Sequence, residues 1–128
     1  MLMKTILVVE DDAALRGALR EALRQRGYKV AVAENGQSAL SRLQEGLRPC
    51  LILLDLMMPE VDGWDFLAQQ RIDSSLAGIP VIVLSSYLTG SERDSVLPAV
   101  GFLKKPIDPE VLLVEIERHC GAISDSSD

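Results

Sequence analysis

Aromatic residues are scarce in this chain: two Phe, two Tyr and one Trp among 128 residues. Any core must therefore be filled by Leu, Val, Ile and Ala, within a hydrophobic fraction of 48 %. Cysteine is limited to Cys50 and Cys120, far apart in sequence and in no CxxC pair. Isolated cysteines of this kind are read as small hydrophobes in a reducing cytosol. Basic charge is also short, with 13 Lys and Arg against 19 Asp and Glu, a net charge of −6. Nucleic-acid binding rests on Lys and Arg neutralising phosphates, so direct contact with DNA or RNA is not expected. No apolar run approaches the roughly 18 residues of a membrane span. Met1-Leu2-Met3-Lys4 leads straight into a strand, without the apolar stretch of a signal peptide. A cytoplasmic protein without membrane insertion is expected.

What is present is an alternation. Thr5–Val9 is continuously apolar, as expected of a strand buried on both faces. Leu15, Ala18, Leu19, Ala22 and Leu23 follow at helical spacing, with Gly27 suited to the residue after the helix. A short strand over Lys29–Ala33 and a helix through Ser38, Ala39, Leu40 and Leu43 come next, the helix ending near Gly46. Leu51–Leu54 is a third strand, and Gly63–Arg71 a third helix with Phe66, Leu67 and Gln70 on one side. Val81–Leu84 is a fourth strand and Gly101–Leu103 a fifth. A weak helix is expected from Ser91 to Leu97, stopped by Pro98. The last helix opens on Asp108 as N-cap with Pro109 behind it and stops by Gly121. Strands alternating with helices imply a parallel sheet covered on both faces. One domain over residues 1–122 and a disordered polar tail over 123–128 are expected.

Each long apolar run ends in chemically useful groups: Val9 in Glu10-Asp11-Asp12, Leu54 in Asp55, Leu84 in Ser85-Ser86, and Leu103 in Lys104-Lys105-Pro106. Parallel strands place their C-termini along one edge, where open α/β folds build their sites. The acids, a hydroxyl and a lysine thus converge on one pocket. Carboxylates after a strand also cap the following helix, and that is the better reading for Asp12. Three consecutive acids exceed what capping needs, and with Asp55 opposite they would repel one another unless a cation lay between them. Magnesium, or manganese in its place, suits such an oxygen-rich site. Asp55 itself is read either as bonded to a neighbouring loop amide or as a nucleophile attacking phosphorus to form an acyl phosphate. A cation on one side and Lys105 on the other would neutralise the transferring group, with Ser85 bonding a further phosphoryl oxygen.

The stretches ILVVEDD, LILLDLMMP followed by DGW, PVIVLSS and FLKKP resemble, in order and across nearly the whole chain, the motifs of response regulator receiver domains. The resemblance is to single-domain receivers of the chemotaxis-regulator kind. It implies a flavodoxin-like, doubly wound sheet of five parallel strands in the order 2-1-3-4-5. Glu10, Asp11, Asp55 and the backbone carbonyl of Met57 would hold Mg²⁺, Asp55 would be the phosphoacceptor, and Lys105 the phosphate-binding lysine. Ser85 would be the hydroxyl switch residue, Phe102 the aromatic one, and the Lys105-Pro106 bond would be cis. The implied function is a phosphorelay module that takes its phosphoryl group from a sensor histidine kinase or a histidine phosphotransfer protein. It catalyses its own phosphorylation and dephosphorylation without being a turnover enzyme, and signals to a downstream protein by direct contact.

Two departures from the family stand out. The segment 86–100 is shorter than usual and holds Gly90 and Pro98, so its helix is expected to be short, displaced or mobile. Met57 and Tyr87 occupy variable positions facing the phosphoryl group, where they would restrict an attacking water, so fast self-hydrolysis is not expected. Three alternatives compete with a chain acting as a complete signalling protein. The first is a receiver cut from a larger hybrid kinase or regulator. The second is a metal-dependent phosphatase, which would want an acid where Met57 stands. The third is a flavodoxin-like nucleotide or flavin binder, which would want a phosphate loop in place of Glu10-Asp11-Asp12.

Overall fold

The computed structural model describes residues 4–55, 63–85 and 101–121. Five strands form one parallel sheet: β1 (Thr5–Val9), β2 (Lys29–Ala33), β3 (Leu51–Asp55), β4 (Val81–Ser85) and β5 (Gly101–Lys104), in the order β2-β1-β3-β4-β5. The described helices are α1 (Ala13–Gln25), α2 (Gly36–Gln44), α3 (Gly63–Ile72) and α4 (Pro109–Cys120). The helix expected over Ser91–Leu97, with Met57, Tyr87 and the tail 123–128, lies outside the described residues. Strands β3, β4 and β5 each run one residue beyond the apolar run that marks them. Asp55, Ser85 and Lys104 are thereby the last residues of strands, held in the ladder and not in loops.

Because side chains alternate along a strand, each central strand feeds two cores. Leu7, Val9, Ile52, Leu54, Val81 and Val83 pack with Ala39, Leu40 and Leu43 of α2 and with Phe66 and Leu67 of α3. Ile6, Val8, Leu51, Leu53, Ile82 and Leu84 pack with Leu19 and Leu23 of α1 and with Leu112, Leu113 and Ile116 of α4. Both layers are mainly aliphatic, as the shortage of aromatics requires. Truncating a fully buried residue such as Leu53 to alanine would cost about 2–5 kcal/mol.

The helix starts follow the sequence signals. Asp12 caps α1, its carboxylate accepting from the Ala14 and Leu15 amides, a contribution of about 1 kcal/mol. Asn35 accepts from Ser38 N at α2, and Asp108 accepts from Glu110 N at α4, with Pro109 at its first position. Gly27 and Gly46 follow the caps of α1 and α2 with φ of 95° and 112°, a region costly for any residue with a Cβ. The Lys105-Pro106 peptide is cis. Gln70, on the buried side of α3, has its amide nitrogen donating to the carbonyls of Leu76 and Ile79, tying the turn before β4 to the helix.

One expectation is corrected. Cys50 and Cys120 are not separate hydrophobes but are joined in a disulfide, their Cα atoms 5.6 Å apart. They lie 70 residues apart in sequence, and only the layering of α4 over the start of β3 brings them together. Local spacing carries no trace of that.

Candidate functional site at the strand ends

The register of the sheet assembles the pocket. Val9 pairs with Leu54, so Glu10, one residue on, lies level with Asp55. Asp55 pairs with Leu84, and Ser85 with Lys104, which sets Lys105 just past Ser85. Two backbone bonds hold the flanks: Glu10 N donates to Ala33 O, and Lys105 N donates to Ser85 O at 2.8 Å.

Glu10, Asp11 and Asp55 each bring a carboxylate oxygen into a group whose members all lie within 4.8 Å of one another. Glu10 and Asp55 are buried, Asp11 exposed. Lys105 Nζ lies 3.0 Å from Glu10 Oε1 and 3.5 Å from Asp55 Oδ2. The first contact is an ion pair lacking hydrogen-bond geometry, so Oε1 is a buried oxygen without a hydrogen-bond partner among the described residues. Glu10 Oε2 accepts from Asp12 N at 3.2 Å.

One ammonium faces the two buried carboxylates Glu10 and Asp55, and the proton affinity of Glu10 reflects their desolvation. Burial pushes its carboxyl up to about 7, the nearby negative charge of Asp55 adds to the rise, and Lys105 opposes it. For Lys105, burial acts downward, but Glu10 and Asp55 outweigh it and hold the ammonium above its ordinary value. An all-oxygen donor set with two buried carboxylates and surplus negative charge fits a hard divalent cation. The cluster could hold a metal ion.

Ser85 is buried at the end of β4, and its side chain borders the same edge. Phe102, opposite Val83 in β5, is half-buried and packs against the core beneath α2 and α3. Its packing is that of a core residue of β5. Asp12 is engaged as the α1 cap, so its oxygen occupies the Ala14 and Leu15 amides that a phosphate loop would need. Met57 lies outside the described residues.

Sequence reasoning passed over Arg16. One turn into α1, its Nη1 donates to the carbonyls of Glu10 at 2.9 Å and Asp11 at 3.4 Å, bracing the acidic turn from below. The available signal was a lone basic residue one helical turn after the acids, which a solvated surface arginine would also produce.

A doubly wound parallel sheet of this order, with carboxylates, a hydroxyl and a lysine at its C-terminal edge, defines a flavodoxin-like fold carrying a receiver-type site. The response regulator receiver domain family matches residues 6–117, and the chain belongs to that family, a module of two-component signalling. An uncharacterized 14.6 kDa protein of Leptolyngbya boryana is 37% identical over 118 residues, covering 90% of this chain and 88% of that one. Response regulator MprA of Mycolicibacterium vanbaalenii is 39% identical over 113 residues, covering 87% of this chain but 48% of its own length. This chain thus spans about half the length of that relative. Among solved structures, Vibrio cholerae chemotaxis protein CheY4 superimposes with a TM-score of 0.86 at 29% identity, covering 92% of this chain and 99% of that one. A response regulator receiver protein from Pseudomonas putida gives 0.86 at 31% identity, covering 92% and 98%. No helix among the described residues is long and apolar enough to cross a membrane.

Proposed function

We propose that residues 1–122 form a phosphoacceptor receiver in which Asp55 takes a phosphoryl group from a histidine kinase or histidine phosphotransfer protein. The observation that carries this reading is Lys105 set between Glu10 and Asp55, beside Asp11, at the C-terminal edge of a parallel sheet. An Asp55 oxygen attacks the phosphorus of a phosphohistidine. The new O–P bond forms as the P–N bond breaks, and the electron pair returns to the imidazole. Mg²⁺, or Mn²⁺, held by Glu10, Asp11, Asp55 and the Met57 carbonyl, would supply positive charge to the phosphoryl oxygens. Lys105 moves its charge from Glu10 toward the phosphoryl group, and Ser85 donates its hydroxyl to another oxygen. Phe102 follows Ser85, and the altered surface over β5 and α4 is read by a downstream protein in the cytoplasm.

Phosphotransfer tests the reading. An autophosphorylated, radiolabelled histidine kinase mixed with this chain and Mg²⁺ should pass its label on as an acid-stable, alkali-labile acyl phosphate. Failure with a panel of kinases and with acetyl phosphate alike would overturn it.

A further inference from the structure

The end of the molecule opposite the acids carries chemistry that the phosphoacceptor reading does not use. Cys50 immediately precedes β3, the strand that ends in Asp55, and Cys120 is the last residue of α4. Helix α4 starts at Pro109, four residues after Lys105, which pairs with Asp55. Helix α4 therefore spans β3 from end to end. One end hangs from the lysine at the acid pocket, and the other is bonded to the residue before the strand. Five residues of strand separate the two anchor points, about 17 Å at the rise of an extended chain.

The two ends of this tie are anchored by different contacts. Cys50 is fixed in the sheet, its amide donating to Thr5 O at 2.9 Å. The last turn of α4 is held by packing and by one side-chain bond. Ile116 and Cys120 are its buried residues there, and Lys4 Nζ donates to the Cys120 carbonyl. Two buried side-chain atoms around this end, Tyr28 Oη and His119 Nε2, lack a hydrogen-bond partner among the described residues. Buried unpaired polar groups count against the packed state. Burial and the charge of Glu117 hold the Tyr28 phenol above its ordinary value. With the Cys50–Cys120 bond open, this turn is the part of α4 with most to gain by loosening.

We propose that Cys50 and Cys120 form a reversible thiol-oxidation site that, when closed, pins the C-terminal turn of α4 to the start of β3. The oxidant class is a small-molecule disulfide such as oxidised glutathione. Cys50 is half-buried and Cys120 is 8 % exposed, so the Cys50 thiolate is the first to react. It attacks one sulfur of the small disulfide, forming a mixed disulfide and expelling one thiolate. The Cys120 thiolate then attacks the Cys50 sulfur and expels the second. Two protein thiols lose two electrons, the small disulfide is reduced to two thiols, and the cysteine protons pass to the released thiolates. Excess reduced thiol runs the same steps backward. In the closed form the Cα separation of 5.6 Å is that of an ordinary disulfide. The consequence for signalling rests on the phosphoacceptor reading: a pinned α4 responds less to events at Asp55.

Amide hydrogen exchange on the full chain tests the site, after equilibration in oxidised or reduced glutathione. The oxidised chain should be monomeric and closed to alkylation. Reduction should open both thiols and speed exchange over residues 117–120 by about tenfold, with β1 and β3 unchanged. Cys120→Ser and Cys50→Ser should each exchange like the reduced chain in both buffers. Disulfides that form only between molecules, or equal exchange in the two states, would overturn the proposal. Beryllofluoride with Mg²⁺ should shift α4 amide signals more in the reduced chain than in the oxidised one. Absence of any beryllofluoride binding would count against the phosphoacceptor reading and leave the exchange result to decide the redox site by itself.

Discussion

Lys105 stands closer to Glu10 than to Asp55, with its ammonium 3.0 Å from Glu10 Oε1 and 3.5 Å from Asp55 Oδ2. In this state the lysine neutralises a proposed metal ligand first and the proposed phosphoacceptor second. A cation taking over Glu10 would free Lys105 for the phosphoryl group, so metal and phosphate would arrive in a cooperative order.

Phosphorylation should depend on Asp55 alone. Incubation with acetyl phosphate and Mg²⁺ should add one phosphoryl mass to the wild-type chain and none to Asp55→Asn. Mass spectrometry showing equal labelling of the two would remove Asp55 from its role.

Metal affinity should depend on the exposed acid. Asp11→Asn removes one of the clustered carboxylates without touching the Lys105 pair, and calorimetry should show Mg²⁺ and Mn²⁺ binding at least about tenfold weaker, on the order of one lost charged ligand. An unchanged affinity would mean that the acids serve only as caps and surface charge.

Glu10 should make the metal-free fold sensitive to pH. Its carboxyl is raised from 4.5 to about 7, so between those values the folded chain holds a proton that the unfolded chain has released. This contribution is complete below the lower value and is lost as pH rises through the upper one. In chelator, the stability of wild type relative to Glu10→Gln should therefore fall from pH 5 to pH 8, by an amount on the order of 2 kcal/mol. Melting curves of the two proteins across that range check the sign; a difference that stays flat would place Glu10 in water.

Ser85→Ala should uncouple chemistry from response. Asp55 should still be phosphorylated, but beryllofluoride with Mg²⁺ should shift fewer β5 and α4 amide signals than in wild type. Identical spectra for the two proteins beyond the pocket would show that the hydroxyl is not the link.

Gln70→Leu should weaken the fold without touching the chemistry. It strips donors from the Leu76 and Ile79 carbonyls in a buried setting, which should cost about 1–3 kcal/mol and lower the urea midpoint. Phosphorylation by acetyl phosphate should persist.

Much of this protein was legible in order along the chain. Apolar runs of strand length, helical spacing of Leu and Ala, and Asp12 and Asp108 before their helices are local signals, and the structure places elements where they point. The site was legible for a related reason: in a parallel sheet the end of every strand is a known edge, so Glu10, Asp55, Ser85 and Lys105 share it by topology alone. What topology leaves open is register and layering, which depend on pairs distant in sequence. Register set Lys105 against Glu10 before Asp55, while burial, with Asp55 beside it, raised the Glu10 carboxyl. Layering of α4 over β3 joined Cys50 to Cys120, and the close turn after α3 gave buried Gln70 its two carbonyls. None of these follows from spacing, because each is decided by which atoms meet after the cores under α1 and α4 and under α2 and α3 have closed.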